Sequence, residues 1–598
     1  MRWSGWCAFV GAVLFQLHGE AGDARAAPSS GAKSSPVTYE IRKELVPGKE
    51  LLTKFKAVSS HGRDDGAVGG GDGSALATYA PWQVALRASY LLLLFAPVFM
   101  TSGLAYISTV YRNVVWFSLL RFGISHGGAA FIKWAQWAST RPDIFPEELC
   151  SVLASLQSGA PAHSLAFTKR QIKKELGAPL EQVFEYFSPR PIASGSIAQV
   201  YKARLNGQDV AVKVRHPHVE EHIALDFIIM KAVAGLVDLL PGLDWLKLSE
   251  TMSQFSSTIA SQTKLDIEGR HLYLFNHYFR QWRGVTFPKP IILTESVLVE
   301  SYEHGESVAH YTETLSDRGQ SAAGEASVDD TARSRTDLAH FIVTTGEDTY
   351  LKMLLQDNLM HADLHPGNIL IQPYVRGMGV GDADAAAQRV VAAGAAPVAA
   401  VGSGSSRAVA VEMAARAAEL KTRIVLVDAG MVARLVPEEQ RNFIGLIEAM
   451  GEGRGEEAAD HVMRFTAAPA YDAQTRVSFR RGMKELFDVD CRGYGHNVNI
   501  GRALRGILNL VRVNKITIDA NYATLVMNCL CLDSLAASLS PTYNILDGAK
   551  PLLRFHRACK RIPGARMFMR AAIPVARWLK RQSDRLFLVQ LQRKQQKQ

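Results

Sequence analysis

A run of residues without any charged side chain, Ala88–Tyr111, is the feature that most limits how this chain can fold. Its length exceeds the ~20 residues that an α-helix needs to cross the hydrocarbon core of a bilayer, and Arg87 and Arg112 flank it. Pro97 interrupts the run, which also suits a hairpin lying in one leaflet or a helix buried against a folded body. The run therefore predicts a hydrophobic membrane segment over residues 82–122, with those two alternatives open.

The residues before this segment divide into a targeting-like segment, 1–27, and a low-complexity linker, 28–81. In the first, Arg2 precedes the apolar run Trp6–Leu17 and a stretch of small residues, a pattern typical of a secretory signal peptide. Gly, Ala and Ser dominate the second, which cannot bury enough apolar surface to offset the entropy of ordering.

A basic tail, residues 554–598, closes the chain and contains Asp584 as its single acidic residue. Apolar residues interleave with the charges as in a helix that lies on an anionic membrane surface, and a solvated helical face fits the same pattern. No nucleic-acid reader motif or stacking platform accompanies the tail. We therefore expect membrane lipids as partners and no nucleic acid.

Between the membrane segment and the tail, the patterns are helical over 123–190, strand-rich over 191–304 and mostly helical over 305–553. Strands followed by helices are the order of a two-lobed kinase-like fold, and the length exceeds one core. Segments 316–337 and 377–420 are rich in small residues and are interpreted as surface insertions. The prediction is an α+β, two-lobed protein-kinase-like fold with an N-terminal helical extension and a hydrophobic membrane segment.

The strongest motif lies at 361–370, where Asp363 follows His361 by two residues and Asn368 follows Asp363 by five. Kinase catalytic loops use this spacing, because the Asp orients the attacking hydroxyl and the Asn holds a magnesium ion. A polar turn before a strand is the alternative interpretation.

Two further charged residues occur in the order that such chemistry requires. The run 423–427 predicts a buried strand that ends at Asp428, where a carboxylate can bind the magnesium that bridges the β- and γ-phosphates. Upstream, residues 209–214 alternate as a strand and include Lys213, at the place where kinases hold the α- and β-phosphates. A solvent-facing lysine is the alternative for Lys213, but the joint order favours a site for ATP and Mg²⁺.

No glycine-rich loop precedes Lys213; small residues stand in its place. They allow the backbone to approach phosphates closely, and Ser194 and Ser196 add hydroxyl donors. Four histidines, His163, His216, His218 and His365, have no second ligand at metal spacing and are expected to be structural.

Together these segments resemble the aarF-domain, or UbiB-type, atypical kinases from about Gly123 to about Leu553. Residues 193–200 resemble the family's Ala-rich loop, Lys133-Trp134-Ala135-Gln136 resembles its Lys-x-Gly-Gln helix, and Val297–Tyr302 resembles a hinge. The resemblance implies nucleotide contacts from the loop and the hinge, at Ala193, Ser194, Gly195, Ser196, Gln199, Glu300 and Tyr302. It also implies that Lys133 and Gln136 belong to a regulatory extension.

The chain departs from the family pattern in one acidic motif. Gln262 and Lys264 occupy the positions of its two acids. The resemblance makes those acids the expected partners of the Lys133 ammonium, so it implies that Lys133 is held less tightly here than in relatives. The next part of the alignment makes Glu268 the candidate partner of Lys213.

The function implied by the resemblance is an atypical kinase or ATPase that binds ATP or ADP with Mg²⁺. Lys213, Glu268 and Asp363 would be catalytic, and Asn368 and Asp428 would bind the metal. A role in coenzyme Q or related mitochondrial lipid metabolism follows from the resemblance, with lipid-biosynthesis proteins among the expected partners. The mitochondrial membrane is the implied location, and the signal-like N-terminus leaves a secretory-pathway membrane open. The alternative is a membrane-tethered pseudokinase that uses nucleotide as a switch.

Overall fold

A computed structural model describes the chain as two compact units. The first comprises the described residues up to Tyr273 together with Lys289–Tyr302, and the second comprises Leu274–Pro288 and those from Glu303 onward. The described residues are 39–40, 79–139, 141, 145–154, 162–239, 247–282, 284–309, 329–375, 420–465, 471–496, 498–518, 520–540 and 543–560. The targeting-like segment, nearly all of the linker, residues 377–419 and the tail beyond 560 lie outside them.

The helices, in chain order, are α1 (Pro81–Ile107), α2 (Thr109–Tyr111), α3 (Phe117–Gly127), α4 (Ala129–Ser139), α5 (Glu147–Ala154), α6 (Leu165–Leu176), α7 (Leu180–Val183), α8 (Val219–Asp238), α9 (Leu248–Gln262), α10 (Leu265–Phe279), α11 (Asp329–Lys352), α12 (Pro437–Glu452), α13 (Gly455–Met463), α14 (Ala473–Asp490), α15 (Ile500–Val513), α16 (Ala520–Leu539) and α17 (Ile545–Lys560). A π-helical segment, Arg112–Trp116, joins α2 to α3.

The strands are β1 (Tyr39–Glu40), β2 (Tyr186–Phe187), β3 (Ala193–Ser194), β4 (Ala198–Leu205), β5 (Gln208–Arg215), β6 (Val285–Thr286), β7 (Pro290–Leu293), β8 (Val297–Ser301), β9 (Glu306–Ser307), β10 (Met360–His361), β11 (Ile369–Val375), β12 (Leu420–Leu426) and β13 (Val432–Ala433).

The first unit is built on a seven-stranded sheet in the order β1-β7-β8-β5-β4-β2, with β3 also paired to β4. Along β5, Val210, Val212 and Val214 are fully buried in a cluster that includes Ile172 of α6. Because successive side chains of a strand point to opposite faces, Lys213 lies on the other face of the sheet. Alternation along β5 therefore separates an apolar core from a face that carries a charge.

The predicted membrane segment forms a helical hairpin in this unit. Arm α1 ends at Ser108, and α3 returns antiparallel to it, since Trp116 Nε1 donates to Val98 O at 2.9 Å and Arg87 donates to Gly127 O. The inward face of α1 repeats every seven residues, as Val84, Leu91, Val98 and Ala105. Among the described residues, α1 is the one helix long and apolar enough to cross a membrane, and most of it is exposed.

The second unit holds a four-stranded sheet in the order β6-β12-β11-β9 and a two-stranded pair, β10–β13. Strands β11 and β12 pair along their full length, from Ile369 opposite Leu426 to Val375 opposite Leu420. The end of β11 and the start of β12 are therefore adjacent, and the predicted insertion 377–420 lies between them.

The predicted α+β, two-lobed fold class is confirmed. Within the predicted insertion 316–337, residues 329–337 lie in helix α11, and Leu420 of the other insertion lies in β12. Those residues have structure of their own. Helix and strand periodicity is weak in short polar stretches, which explains why the sequence placed both boundaries too far along.

Candidate active site

Lys213 is held between two carboxylates in the first unit. Its Nζ lies 2.5 Å from Glu268 Oε1 and 3.2 Å from Glu300 Oε1. Glu268 lies in the first turn of α10 and Glu300 on β8. The three side chains are 11%, 8% and 4% exposed, respectively. The ammonium is therefore fixed in place, unlike that of a solvent-facing lysine on an edge strand.

The position of Glu300 follows from strand register. Ala211 of β5 pairs with Glu300 of β8, and Ala211 and Lys213, two residues apart, share one face. Glu300 therefore points to the same face as Lys213. The sequence predicted Glu300 as a nucleotide contact and missed its carboxylate beside Lys213, although the period-two pattern of both strands could have indicated it.

Tyr302, the other predicted hinge residue, follows β8. Its backbone N–H donates to Asp209 O at 3.2 Å, and its ring lies 4.6 Å from Lys202 Nζ. These contacts hold the end of β8 to the neighbouring strands.

The predicted phosphate loop is a tight turn between β3 and β4. Gly195 N donates to Ala198 O at 2.9 Å, and Ala193 pairs with Val200, which in turn pairs with Lys213. A Cβ added at Gly195 would lie 3.5 Å from Ala198 O, an ordinary contact. Ala193, at the start of the turn, therefore lies in the same cross-strand row as Lys213.

Gln199 has a different place from the one that the sequence predicts. It is fully buried, accepts from His163 N at 2.9 Å and donates to His163 O at 3.2 Å and to Tyr201 Oη. Register places Ser194 opposite Gln199, on the face away from Lys213. The Gln199 side chain is thus committed to protein contacts. The Ser194 hydroxyl oxygen is buried and has no hydrogen-bond partner among the described residues.

Three predicted residues come together in the second unit. Asn368 Nδ2 donates to Asp363 O at 3.2 Å, and Val427 N donates to Asn368 O at 3.0 Å, which brings Asp428 next to the same loop. Asp428 has a left-handed backbone, with φ +63°, a conformation that Asp and Asn tolerate better than most residues. Its Oδ1 accepts from Gly430 N at 3.2 Å.

His361 supports this loop from the protein interior. It is fully buried, its Nδ1 accepts from Asp363 N at 3.3 Å, and Asn528 Nδ2 donates to its carbonyl at 2.8 Å. Burial lowers the pKa of His361, and the nearby carboxylates of Asp363 and Asp428 act against that shift. A neutral imidazole here fixes the backbone of Asp363.

These donors suit magnesium. Asn368 uses its amide nitrogen in the bond to Asp363, so its amide oxygen is the atom left for a cation, and Asp428 supplies a carboxylate. Mg²⁺ prefers such oxygen ligands, one or two from protein and the rest from phosphates and water. Among the described residues, no group of three His, Cys, Asp or Glu side chains has metal-binding geometry.

The predicted regulatory extension lies on α4. Ala130 of this helix is buried with Ile223 of α8 and Phe255 of α9, while Lys133 and Gln136 are half-buried. The extension is therefore packed against helices of the first unit.

Comparison with known proteins also indicates a kinase-like domain. Residues 155–382 match the model of the ABC1 atypical kinase-like domain. A probable serine/threonine-protein kinase, abkC, of Dictyostelium discoideum is 29% identical over 79% of this chain and 69% of its own length. A mitochondrial ABC1 family protein of Saccharomyces cerevisiae is 28% identical over 74% and 68%, respectively, and a probable protein kinase UbiB of Shewanella loihica is 30% identical over 44% and 46%. With Lys213, Asp363 and Asn368 inside the matched region, the chain carries an ABC1 atypical kinase-like domain and is similar to the aarF (UbiB-type) proteins.

Proposed function

We propose that this protein is a membrane-associated, ATP-binding enzyme that hydrolyses ATP or transfers its γ-phosphate. The observation that carries the proposal is the ammonium of Lys213 fixed by Glu268 at 2.5 Å. A lysine paired with a helix glutamate in this way is the arrangement that kinases require for holding the α- and β-phosphates.

Each set of residues has a distinct role in the proposal. Lys213 binds phosphate oxygens, and Glu268 keeps the ammonium in position. Asp428 and Asn368 hold magnesium, which when bound neutralises charge on the phosphates. Asp363, whose backbone His361 fixes, orients the attacking hydroxyl or water through its carboxylate. The relatives named as mitochondrial support a mitochondrial location, and the role in coenzyme Q or mitochondrial lipid metabolism is proposed from the resemblance to UbiB-type proteins.

The proposed membrane contact is the hairpin of α1 to α3, inserted in one leaflet. Its outer surface is apolar and exposed, with Met100 and Ile107 81% and 83% exposed. Arg112 pairs with Glu148 at 3.0 Å, and Arg121 lies exposed on the returning arm. If α1 crossed the bilayer with α3 beside it, Arg121 would lie at hydrocarbon depth alongside the apolar part of α1, which is costly. A hairpin that lies along one interface, with its apolar surface in the leaflet, lets Arg112 and Arg121 reach the head groups and avoids this cost.

The decisive assay of the enzyme is magnesium-dependent ATP turnover by the purified full chain, with and without vesicles of phosphatidylcholine and cardiolipin. We expect turnover that requires Mg²⁺ and increases with vesicles. Nucleotide binding without turnover under both conditions would instead identify a pseudokinase. Failure of the protein to bind any nucleotide would refute the proposal.

Membrane topology is tested separately with the variant Ile107→Cys in sealed vesicles. A maleimide that cannot cross bilayers should label the introduced cysteine in the free protein and fail to label it, from either side, in the bound protein. The matched control is Val477→Cys, an exposed position on α14, which should label equally in both samples. Labelling of the Ile107→Cys variant only from inside the vesicles would show that α1 spans the bilayer.

A further inference from the structure

A series of hydrogen-bonded side chains, in which Thr168, Gln199 and Tyr201 are buried and His163 and His216 are half-buried, ends at the predicted phosphate turn. His216 Nε2 lies 2.9 Å from Gly195 O, and His216 Nδ1 lies 2.8 Å from His163 Nδ1. His163 Nε2 lies 3.0 Å from Thr168 Oγ1, which lies 2.9 Å from Tyr201 Oη. The series begins at Gln199, which donates to Tyr201.

The direction of every bond in this series is determined by its last acceptor. A carbonyl only accepts, so His216 carries its proton on Nε2 when neutral, and its Nδ1 is an acceptor. His163 must then donate from Nδ1 and accept at Nε2 from Thr168. Thr168 in turn accepts from Tyr201, which accepts from Gln199. All donors therefore point toward Gly195, an arrangement in which each bond strengthens the next.

The series also joins two elements of the first unit. His163 precedes α6, which begins at the N-cap Ser164, and the Gln199 side chain bonds both the N–H and the carbonyl of His163. His216 follows β5, and its backbone N–H donates to Ile197 O at 2.9 Å. The turn around Gly195 is thus held at two points by His216, which His163 orients.

We propose that His216 and His163 are positioning residues for nucleotide binding, which fix the backbone of the turn at Gly195 through this directional series. The inference rests on the proposed function, because it requires that the turn receive phosphate groups. It gives Gln199 a role at the far end of the series, where it sets the first donor. Neither histidine needs to contact the nucleotide.

Protonation of His163 or His216 should break this series of hydrogen bonds. Burial lowers the pKa of His163 to about 4, and repulsion from His216 adds to this; burial also lowers the pKa of His216, against a bond to Gly195. Because the folded pKa of each histidine lies below the 6.5 of the free side chain, the hydrogen-bond series is intact above that pH and is lost as the pH falls toward the folded pKa, about 4 for His163. A second proton on His216 would set two N–H groups against each other.

Among the described residues, no charged side chain outside the pair of His163 and His216 is a cause of the pKa shift of either histidine. Tyr201 of β4 is the remaining titratable group in the series, and the neighbouring Arg215 and Glu220 pair with each other at 3.0 Å. Any pH dependence of nucleotide binding through this series should therefore come from protonation of the two histidines.

The test compares the dissociation constant of ATP with Mg²⁺ for the full-length wild type and three variants by titration calorimetry. His216→Leu removes the donor to Gly195 and should weaken binding about threefold to tenfold, the range for one lost hydrogen bond. His216→Gln keeps an amide donor near the position of Nε2 and cannot titrate, so it should bind nearly as wild type does. His218→Gln is the matched control, since the side chain of His218 is exposed and lies 3.0 Å from Glu221, outside the series of hydrogen bonds.

Measurements from about pH 8 down to about pH 4.5, close to the folded pKa of His163, separate positioning from a merely structural role. The ratio of wild-type to His216→Gln dissociation constants cancels the titration of ATP itself and should rise as the pH falls. The proposal is overturned if the ratio is constant and His216→Leu, when folded, binds as tightly as wild type. If His216→Leu does not fold, the ratio alone decides. Absence of binding by the wild type would instead refute the proposed function on which the inference depends.

Discussion

Substitution of Lys213 by Met should destabilise the first unit in addition to weakening nucleotide binding. Two carboxylates, Glu268 and Glu300, are 8% and 4% exposed beside the ammonium. Without the lysine they form a buried pair of like charges. Removing one partner of a buried ion pair costs ~3–5 kcal/mol, and each kcal/mol lowers the melting temperature of a domain of this size by ~2–4 °C. We therefore expect Lys213→Met to melt at least ~6 °C below the wild type without nucleotide.

Two further variants test the cause. Glu300→Gln leaves one carboxylate with the lysine, so its melting temperature should stay within ~2 °C of wild type, and the double variant Lys213→Met/Glu300→Gln should melt above Lys213→Met. The matched control is Lys202→Met, because Lys202 is 32% exposed and its pair with Asp209, at 2.9 Å, is half-exposed and worth under ~1 kcal/mol. The reasoning is refuted if Lys213→Met melts with the wild type, or if the second substitution does not restore any stability.

Three other outcomes follow from the second unit. Asp428→Asn keeps a residue that tolerates the left-handed backbone but loses a charge that opposes the metal, so calorimetry should show weaker and less magnesium-dependent nucleotide binding; unchanged metal dependence would remove Asp428 from the site. Asp363→Asn should bind nucleotide nearly as wild type and turn it over more slowly by at least ~10-fold, and equal turnover would favour the pseudokinase alternative. Replacing 377–419 by a short turn should leave melting and ATP binding unchanged, because Val375 and Leu420 already pair across the gap and loop-closure entropy varies slowly with length; a large loss of stability would show that the segment packs.

The chemistry of the site was more predictable than its supports. Lys213 and Glu268 were paired by their motifs, and the structure places their charged atoms at 2.5 Å. These motifs reflect chemistry that needs one residue type at one spacing. Gln199 was misassigned because a motif cannot tell which face of a strand a side chain occupies, whereas register can.

The membrane segment shows a different limit. Composition identified an apolar run but left a spanning helix, a hairpin and a buried helix open. The hairpin depends on contacts between distant residues, such as the bond from Trp116 to Val98 and the ion pair of Arg87 with Asp226 at 2.7 Å. Periodicity reports burial within one helix and carries no information on which partner a helix meets.

If the hairpin makes the proposed membrane contact, the same ion pair restricts how freely the first unit can turn at the membrane surface. Asp226 is buried and Arg87 bonds both its carboxylate and Gly127 O, so the hairpin is a rigid part of the first unit. A domain on a flexible leash samples many orientations, and its groups meet the surface only for part of the time. A unit that has no flexible linker to its membrane anchor keeps one tilt and one height above the lipid once its hairpin is in the leaflet. The face of the sheet that carries Lys213 would then meet every approaching amphiphile at the same angle.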